Sequence, residues 1–311
     1  MSWIIVAFLA YFLLAIANLG DKFLVDNILK SSKAYAFVVC FMGLIAFVVA
    51  PWFLEWPGFS SFIFNLVNGA IFTLALWTLY EGLKKGEASK ILVIIGGLTP
   101  VFSFIFSYFI FHEVFTITQL IGVLIILLGV SLIIFLPAER NLLTRLFFWL
   151  KIEDKSKKGG IKIAILSALL YSLYFIGTKL AYGYQPFVSS FLWTRLGAFL
   201  FALLFLMKNI DRKEILKMFQ KSDSNKSKGL VLLNQVIGSS GFVLQNYAIF
   251  LGSVVLVNAL QGFQYALILI ISALLSLFAP KLLNEKFSKR IIIQKSAAVF
   301  LIMIGIYFIT F

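Results

Sequence analysis

The sequence contains one cysteine and one histidine in 311 residues, and only 13% of its residues are charged. A single cysteine, Cys40, excludes a disulfide within the chain, a haem-attachment motif and a cysteine-ligated metal site. The lone His112 removes multi-histidine metal centres. It lies in a turn between two apolar runs, so acyl transfer has no nucleophile paired with a general base. No Gly-x4-Gly-Lys-Ser/Thr pattern occurs, which leaves no phosphate-cradling loop for ATP-driven work. These absences predict no enzyme, no metal and no cofactor.

What the chain has in excess is apolar length. It is 61% hydrophobic, with a mean hydropathy of +1.01, where a soluble domain is about 45–50% apolar and about 25% charged. Ten apolar runs cover 3–19, 34–54, 59–83, 91–111, 117–136, 161–181, 187–207, 230–251, 254–279 and 291–311. Each is long enough for a helix to cross roughly 30 Å of hydrocarbon. The expected fold is an all-α membrane protein with ten transmembrane helices. Porin-like barrels are excluded because their strands alternate in polarity. The first run resembles a signal peptide at Ala15-Ile16-Ala17, but no basic segment precedes it and it reads as a retained helix.

Two long basic interruptions, 137–160 and 208–229, read as solvated, lipid-facing loops rather than as a nucleic-acid surface. Residues 141–152 suit a helix lying in the membrane interface. Asp211 with Glu214 begins a short amphipathic helix.

An internal repeat organises the chain. "HEVFT" (112–116) and "NEKFS" (284–288) each sit between two apolar runs, followed by "GVSLIIF" (129–135) and "GIYFITF" (305–311). "YEGLKKGEAS" (80–89) is matched by "NYAIFLGSVV" (246–255), and Lys22 by Lys179. The expected domains are a first five-helix repeat (1–136), a basic interfacial linker (137–160) and a second five-helix repeat (161–311). Five is odd, so the two copies cross the membrane in opposite senses, around a central cavity. Thr116 and Ser288 are expected to begin the last helix of each half. Glu113 and Glu285 are turn residues on opposite faces, away from any site.

All but two of the 27 Lys and Arg fall in the loops between spans 1–2, 3–4, 5–6, 7–8 and 9–10 or their flanks. By the positive-inside rule both termini then face outward. The exceptions, Lys179 and Arg195, lie within spans.

The stretch "GEASKILVIIGGLTPVFSFIFSYFIFHEVFTITQLIGVLIILLGVSLI" (86–133) resembles the EamA-type transporters of the drug/metabolite transporter superfamily. The likeness lies in Gly86-Glu87-Ala88-Ser89, Thr99-Pro100-Val101-Phe102, Glu113, Ile121-Gly122 and Leu128-Gly129. The second copy keeps Glu285 and Gly305 but has Ala266 in place of the proline. The resemblance implies a secondary or facilitative transporter of a small organic metabolite in the plasma membrane, acting by alternating access. It also implies cytoplasmic termini, against the charge bias. A flippase for a lipid-linked sugar or phospholipid is the alternative. The expected partners are a small-molecule substrate and the lipid bilayer, with a monomer or weak homodimer as the assembly.

Polar groups at membrane depth are costly and mark interiors. Asn258, Gln261, Gln264 and Tyr265 recur at helical spacing around Gly262, which aligns with Gly96 beside Thr99 and Pro100. Gln235, Gln245 and Asn246 add amides in span eight. Tyr171 and Tyr174 in span six, and Tyr11 and Asn18 in span one, offer further polar faces. Arg195 is too deep for easy snorkelling, and its fork suits a carboxylate or phosphate. These thirteen residues are the candidate substrate site. Asp21 and Glu81 are the only anions near enough to neutralise Arg195, and Glu81 is the candidate for proton coupling. Lys22 and Lys179 read as snorkelling cations.

Overall fold

The computed structural model describes residues 2–27, 31–112, 116–135, 155–220, 225–278 and 289–310. Glu113, Glu285, Ser288 and the expected interfacial helix over 141–152 lie outside the described residues. Every regular element among those described is helical. In chain order these are α1 (Ser2–Asn27), α2 (Ser32–Met42), α3 (Ala50–Phe53), α4 (Phe59–Lys85), α5 (Ala88–Phe111) and α6 (Ile117–Phe135). The second half holds α7 (Lys155–Tyr182), α8 (Phe187–Ala202), α9 (Asn209–Gln220), α10 (Asn225–Leu251), α11 (Val254–Ala259), α12 (Gln261–Phe278) and α13 (Lys289–Thr310).

A helix satisfies its own backbone N–H and C=O groups, the condition for lying in hydrocarbon. Among the described residues, seven segments are long and apolar enough to cross a membrane, and α6 and α13 hold shorter apolar stretches, Ile117–Gly129 and Ile292–Phe308. α10 is not among the seven. Asn234, Gln235, Ser239, Ser240, Gln245 and Asn246 interrupt its apolar surface.

Four of the expected spans are not single α-helices within their expected bounds. α1 continues past residue 19 to Asn27, which brings Asp21 and Lys22 into the helix. α2 and α8 each run on into a 3₁₀ segment, Gly43–Val49 and Leu203–Met207. The ninth span is two helices, because the chain turns at Leu260 before Gln261 restarts it. The Thr116 expectation is met by a reciprocal cap. Thr116 Oγ1 accepts from the Gln119 N–H at 3.3 Å, and Gln119 Oε1 accepts from the Thr116 N–H at 2.9 Å.

The helices pack in matched pairs. α1 lies along α10 and α4 along α7, α1 also meets α12 as α7 meets α5, and α6 crosses α13. Small residues set these distances. A Cβ on Gly129 would come 2.9 Å from the Ala298 carbonyl, and one on Gly305 would come 2.6 Å from that of Gly122. Gly69 and Gly197 let α4 and α8 touch backbone to backbone, since a Cβ on Gly69 would run into the Thr194 carbonyl and one on Gly197 would come 2.5 Å from the Leu66 backbone. Such close approach without side chains is how helices associate where no hydrophobic force separates them from lipid.

Lys22 and Lys179 do not snorkel outward. Lys22 is 6% exposed and donates to the carbonyls of Leu83 (2.6 Å) and Gly86 (2.9 Å). Lys179 donates to those of Ile249 (3.0 Å) and Gly252 (2.7 Å). Lys22 therefore caps the C-terminal end of α4 and Lys179 that of α10, where unpaired carbonyls and the helix dipole favour a cation.

Candidate substrate cavity

A cavity of about 650 Å³ lies among α1, α2, α4, α7, α8 and α10. Its walls include Phe72, Leu76, Leu79, Phe191 and Phe242, with polar points at Asn18, Asp21, Tyr80, Tyr171, Arg195, Asn234, Gln235, Ser239 and Ser240. The rim between α10 and the 3₁₀ segment after α2 is apolar and exposed, at Ile45, Leu232 and Val236. A smaller chamber of about 60 Å³ adjoins it, lined by Thr99, Gln245, Gln261, Gln264 and Tyr265. Asn18, Tyr171 and Phe242 line both spaces and form the partition.

Arg195 is the cavity's fixed cation. It is 5% exposed, in the middle of α8. Its guanidinium carbon lies over three rings, 4.2 Å from the centroid of Phe72, 4.4 Å from Phe242 and 4.7 Å from Phe191. Nη2 donates to the Tyr174 hydroxyl at 3.3 Å, and Nε has no partner. Neither Asp21 nor Glu81 neutralises it. Glu81 pairs with Lys85 at 2.7 Å and accepts from Ser32. Three ring faces at about 0.5–2 kcal/mol each go toward offsetting the several kcal/mol that desolvating an ion costs, but they supply no opposite charge. The guanidinium thus has π faces around it and no ion-pair partner among the described residues.

The candidate residues fall into two groups. Arg195, Gln235, Tyr171 and Asn18 line the large cavity, and Thr99, Gln245, Gln261, Gln264 and Tyr265 line the small chamber. The stripe from Asn258 to Tyr265 does not form one face, because the break at Leu260 divides it. Asn258 lines neither space and donates to Ser103 Oγ at 3.1 Å. Tyr11, Asn246 and Tyr174 also stand behind the walls. Tyr11 donates to the Val257 carbonyl at 2.7 Å and accepts from Gln245 at 3.4 Å, while Asn246 Oδ1 accepts from Tyr174 (3.0 Å) and Tyr182 (3.3 Å). These bonds tie α1 to the start of α11, and α7 to α10.

Gly96 explains how Tyr265 reaches the chamber. A Cβ at Gly96 would occupy the same space as the Tyr265 phenol, so the missing side chain is the slot for that ring. The Tyr265 hydroxyl and the Gln261 and Gln264 side-chain oxygens are buried without partners.

Asp21, read in the sequence as a possible counter-ion of Arg195, is a cavity residue missing from the candidate substrate site. It is 7% exposed and lines the large cavity. Its Oδ1 accepts from the Tyr35 hydroxyl and from Asn234 Nδ2 at 2.6 Å. Gln235 Nε2 in turn donates to the Tyr35 hydroxyl at 2.8 Å. Across the bundle, Asn68 and the Thr178 hydroxyl lie 3.0 Å apart. Asn234 fills the space over Gly20, and Asn68 fills that over Gly177, 2.5 Å from where a Cβ would stand.

No metal-binding group of three or more His, Cys, Asp or Glu occurs among the described residues. No curated protein matches the chain. A solved structure described only as "Crystal structure of protein" is similar at TM-score 0.63, with 16% identity over 99% of this chain and 97% of its own. At that identity the likeness speaks to the fold alone. The model of the EamA-like transporter family matches residues 1–135. The stretch from α1 through α6 of this multi-pass membrane protein is therefore similar to the EamA-like transporter family, consistent with the drug/metabolite transporter superfamily.

Proposed function

We propose that the protein is a secondary or facilitative transporter of a small organic solute carrying an anionic group, which Arg195 holds in the large cavity. The observation that carries this reading is the buried guanidinium with rings on its faces and no carboxylate partner among the described residues. A carboxylate or phosphate on the solute would supply that charge and fit the planar fork.

Alternating access between two inverted five-helix halves, residues 1–136 and 161–311, is the mechanism proposed. The matched contacts support it. α1 on α10 mirrors α7 on α4, and Lys22 on α4 mirrors Lys179 on α10. Gly20 with Asn234 mirrors Gly177 with Asn68. Inverted repeats of this kind place the substrate between the halves and expose it by rocking one half against the other. The charge bias of the loops favours both termini outside, which a reporter fused after Phe311 tests.

The apolar rim between α10 and the segment after α2 favours a second reading, a flippase that admits a lipid from the side. Purified protein in liposomes decides between them. The first reading predicts uptake of a labelled anionic or zwitterionic metabolite, lost in Arg195→Gln. Movement of a fluorescent lipid with no metabolite uptake would favour the second.

A further inference from the structure

The large cavity contains a carboxyl group, Asp21, as well as the Arg195 guanidinium, and no ion pair joins the two. Both hydrogen bonds to Asp21 go to Oδ1, from Tyr35 and Asn234, and no ion pair to Asp21 occurs among the described residues. The adjacent Lys22 directs its ammonium to the Leu83 and Gly86 carbonyls. The titratable groups nearest Asp21 from the packed helices are Tyr35 of α2, Tyr80 of α4 and Tyr171 of α7. None of them is a cation.

We propose that Asp21 is the recognition point for a cationic group of the solute, so that the transported molecule is a zwitterion, its ammonium at Asp21 and its carboxylate at Arg195. This rests on the anion-anchoring role of Arg195. Between the two charges the wall is apolar, at Phe72, Leu76, Leu79 and Phe242, which suits an aliphatic or aromatic body.

Packing alone does not require a carboxylate here. The matching place in the other half, over Gly177, is filled by Thr178 with Asn68, and a neutral hydroxyl serves there. A buried carboxylate with only neutral donors carries a desolvation cost. Two neutral hydrogen bonds offset only part of it. The Gln235–Tyr35–Asn234 network holds Oδ1 in place, which leaves Oδ2 with no partner among the described residues, beside the cavity. An ammonium donates three hydrogen bonds and carries the missing charge.

The test uses full-length protein in liposomes and three matched compounds. These are phenylalanine, its deaminated acid 3-phenylpropionate and its decarboxylated amine phenethylamine, each competing with labelled phenylalanine. The wild type should prefer phenylalanine to either single-charge analogue by about tenfold or more, the worth of one charged hydrogen bond. Asp21→Asn should abolish the preference over 3-phenylpropionate and keep that over phenethylamine. Arg195→Gln should do the reverse. If Asp21→Asn does not fold, the wild-type comparison still decides, since equal competition by all three, or none, overturns the proposal. An unchanged zwitterion preference in Asp21→Asn overturns it and leaves the Arg195 reading standing. Loss of gradient-driven accumulation with counterflow and preference intact also overturns it, making Asp21 a proton carrier. An unchanged response to 3-phenylpropionate in Arg195→Gln overturns the Arg195 reading instead.

Discussion

Lys22 of α1 places its ammonium 2.6 Å from the Leu83 carbonyl, near the end of α4. Lys179 of α7 stands 2.7 Å from the Gly252 carbonyl, just beyond α10. Two lysines that look like membrane-boundary cations are therefore capping groups turned inward. Replacing either by Met leaves buried carbonyls unpaired, at a cost of about 1–3 kcal/mol. Thermal unfolding in detergent should show similar losses for Lys22→Met and Lys179→Met. A loss for one and none for the other would break the equivalence of the two halves.

The α4–α8 crossing depends on Gly69 and Gly197. Gly197→Ala drives a methyl into the Leu66 backbone, which cannot rotate away. It should unfold the protein or strip it of transport, in keeping with overpacking costs of about 1–3 kcal/mol or more. Gly238→Ala, whose new methyl would meet only the Ala17 side chain at 3.3 Å, should be close to neutral. Size-exclusion profiles and melting temperatures of the pair check this.

Gly96→Ala should expel the Tyr265 ring from its slot and reduce transport. Tyr265→Leu in the same protein makes room for the methyl and should restore folding. A double variant that melts no higher than Gly96→Ala alone would show that the glycine serves something other than this ring. Because the two positions share one space, their effects should be non-additive by about 0.5–3 kcal/mol.

Thr116 and Gln119 cap each other at the start of α6. Thr116→Val removes the hydroxyl acceptor and should cost about 1 kcal/mol, as for other N-caps. Thr116→Ser should keep the cap and the melting temperature. Neither change should alter transport, since the cap stands outside both cavities.

The membrane helices were legible because apolar runs of this length have few other uses, and Arg195 stood out because a guanidinium inside such a run needs a reason. The polar stripe of the ninth span was legible only in part. Periodicity assumes an unbroken helix, and the turn at Leu260 sends Asn258 to Ser103 while Gln261 and Gln264 reach the chamber. Asp21 reads in the sequence only as a possible counter-ion of Arg195, because its apolar run stops before it. The helix continues to Asn27, and packing on α10 turns the carboxylate to Asn234 and the cavity. Nothing local in a sequence says which way a residue faces beyond the end of its apolar run. The aromatic faces around Arg195 come from α4, α8 and α10, and Phe is too common here for any one to be singled out.

The central claim is that Arg195 binds the solute's anionic group. The most direct measurement compares uptake of a transported carboxylate with that of its uncharged carboxamide, in wild type and in Arg195→Gln, in the same liposomes. The wild type should favour the carboxylate by about tenfold or more, and Arg195→Gln should take up both at the carboxamide's rate. A folded Arg195→Gln protein that still favours the carboxylate to the wild-type extent would contradict the account.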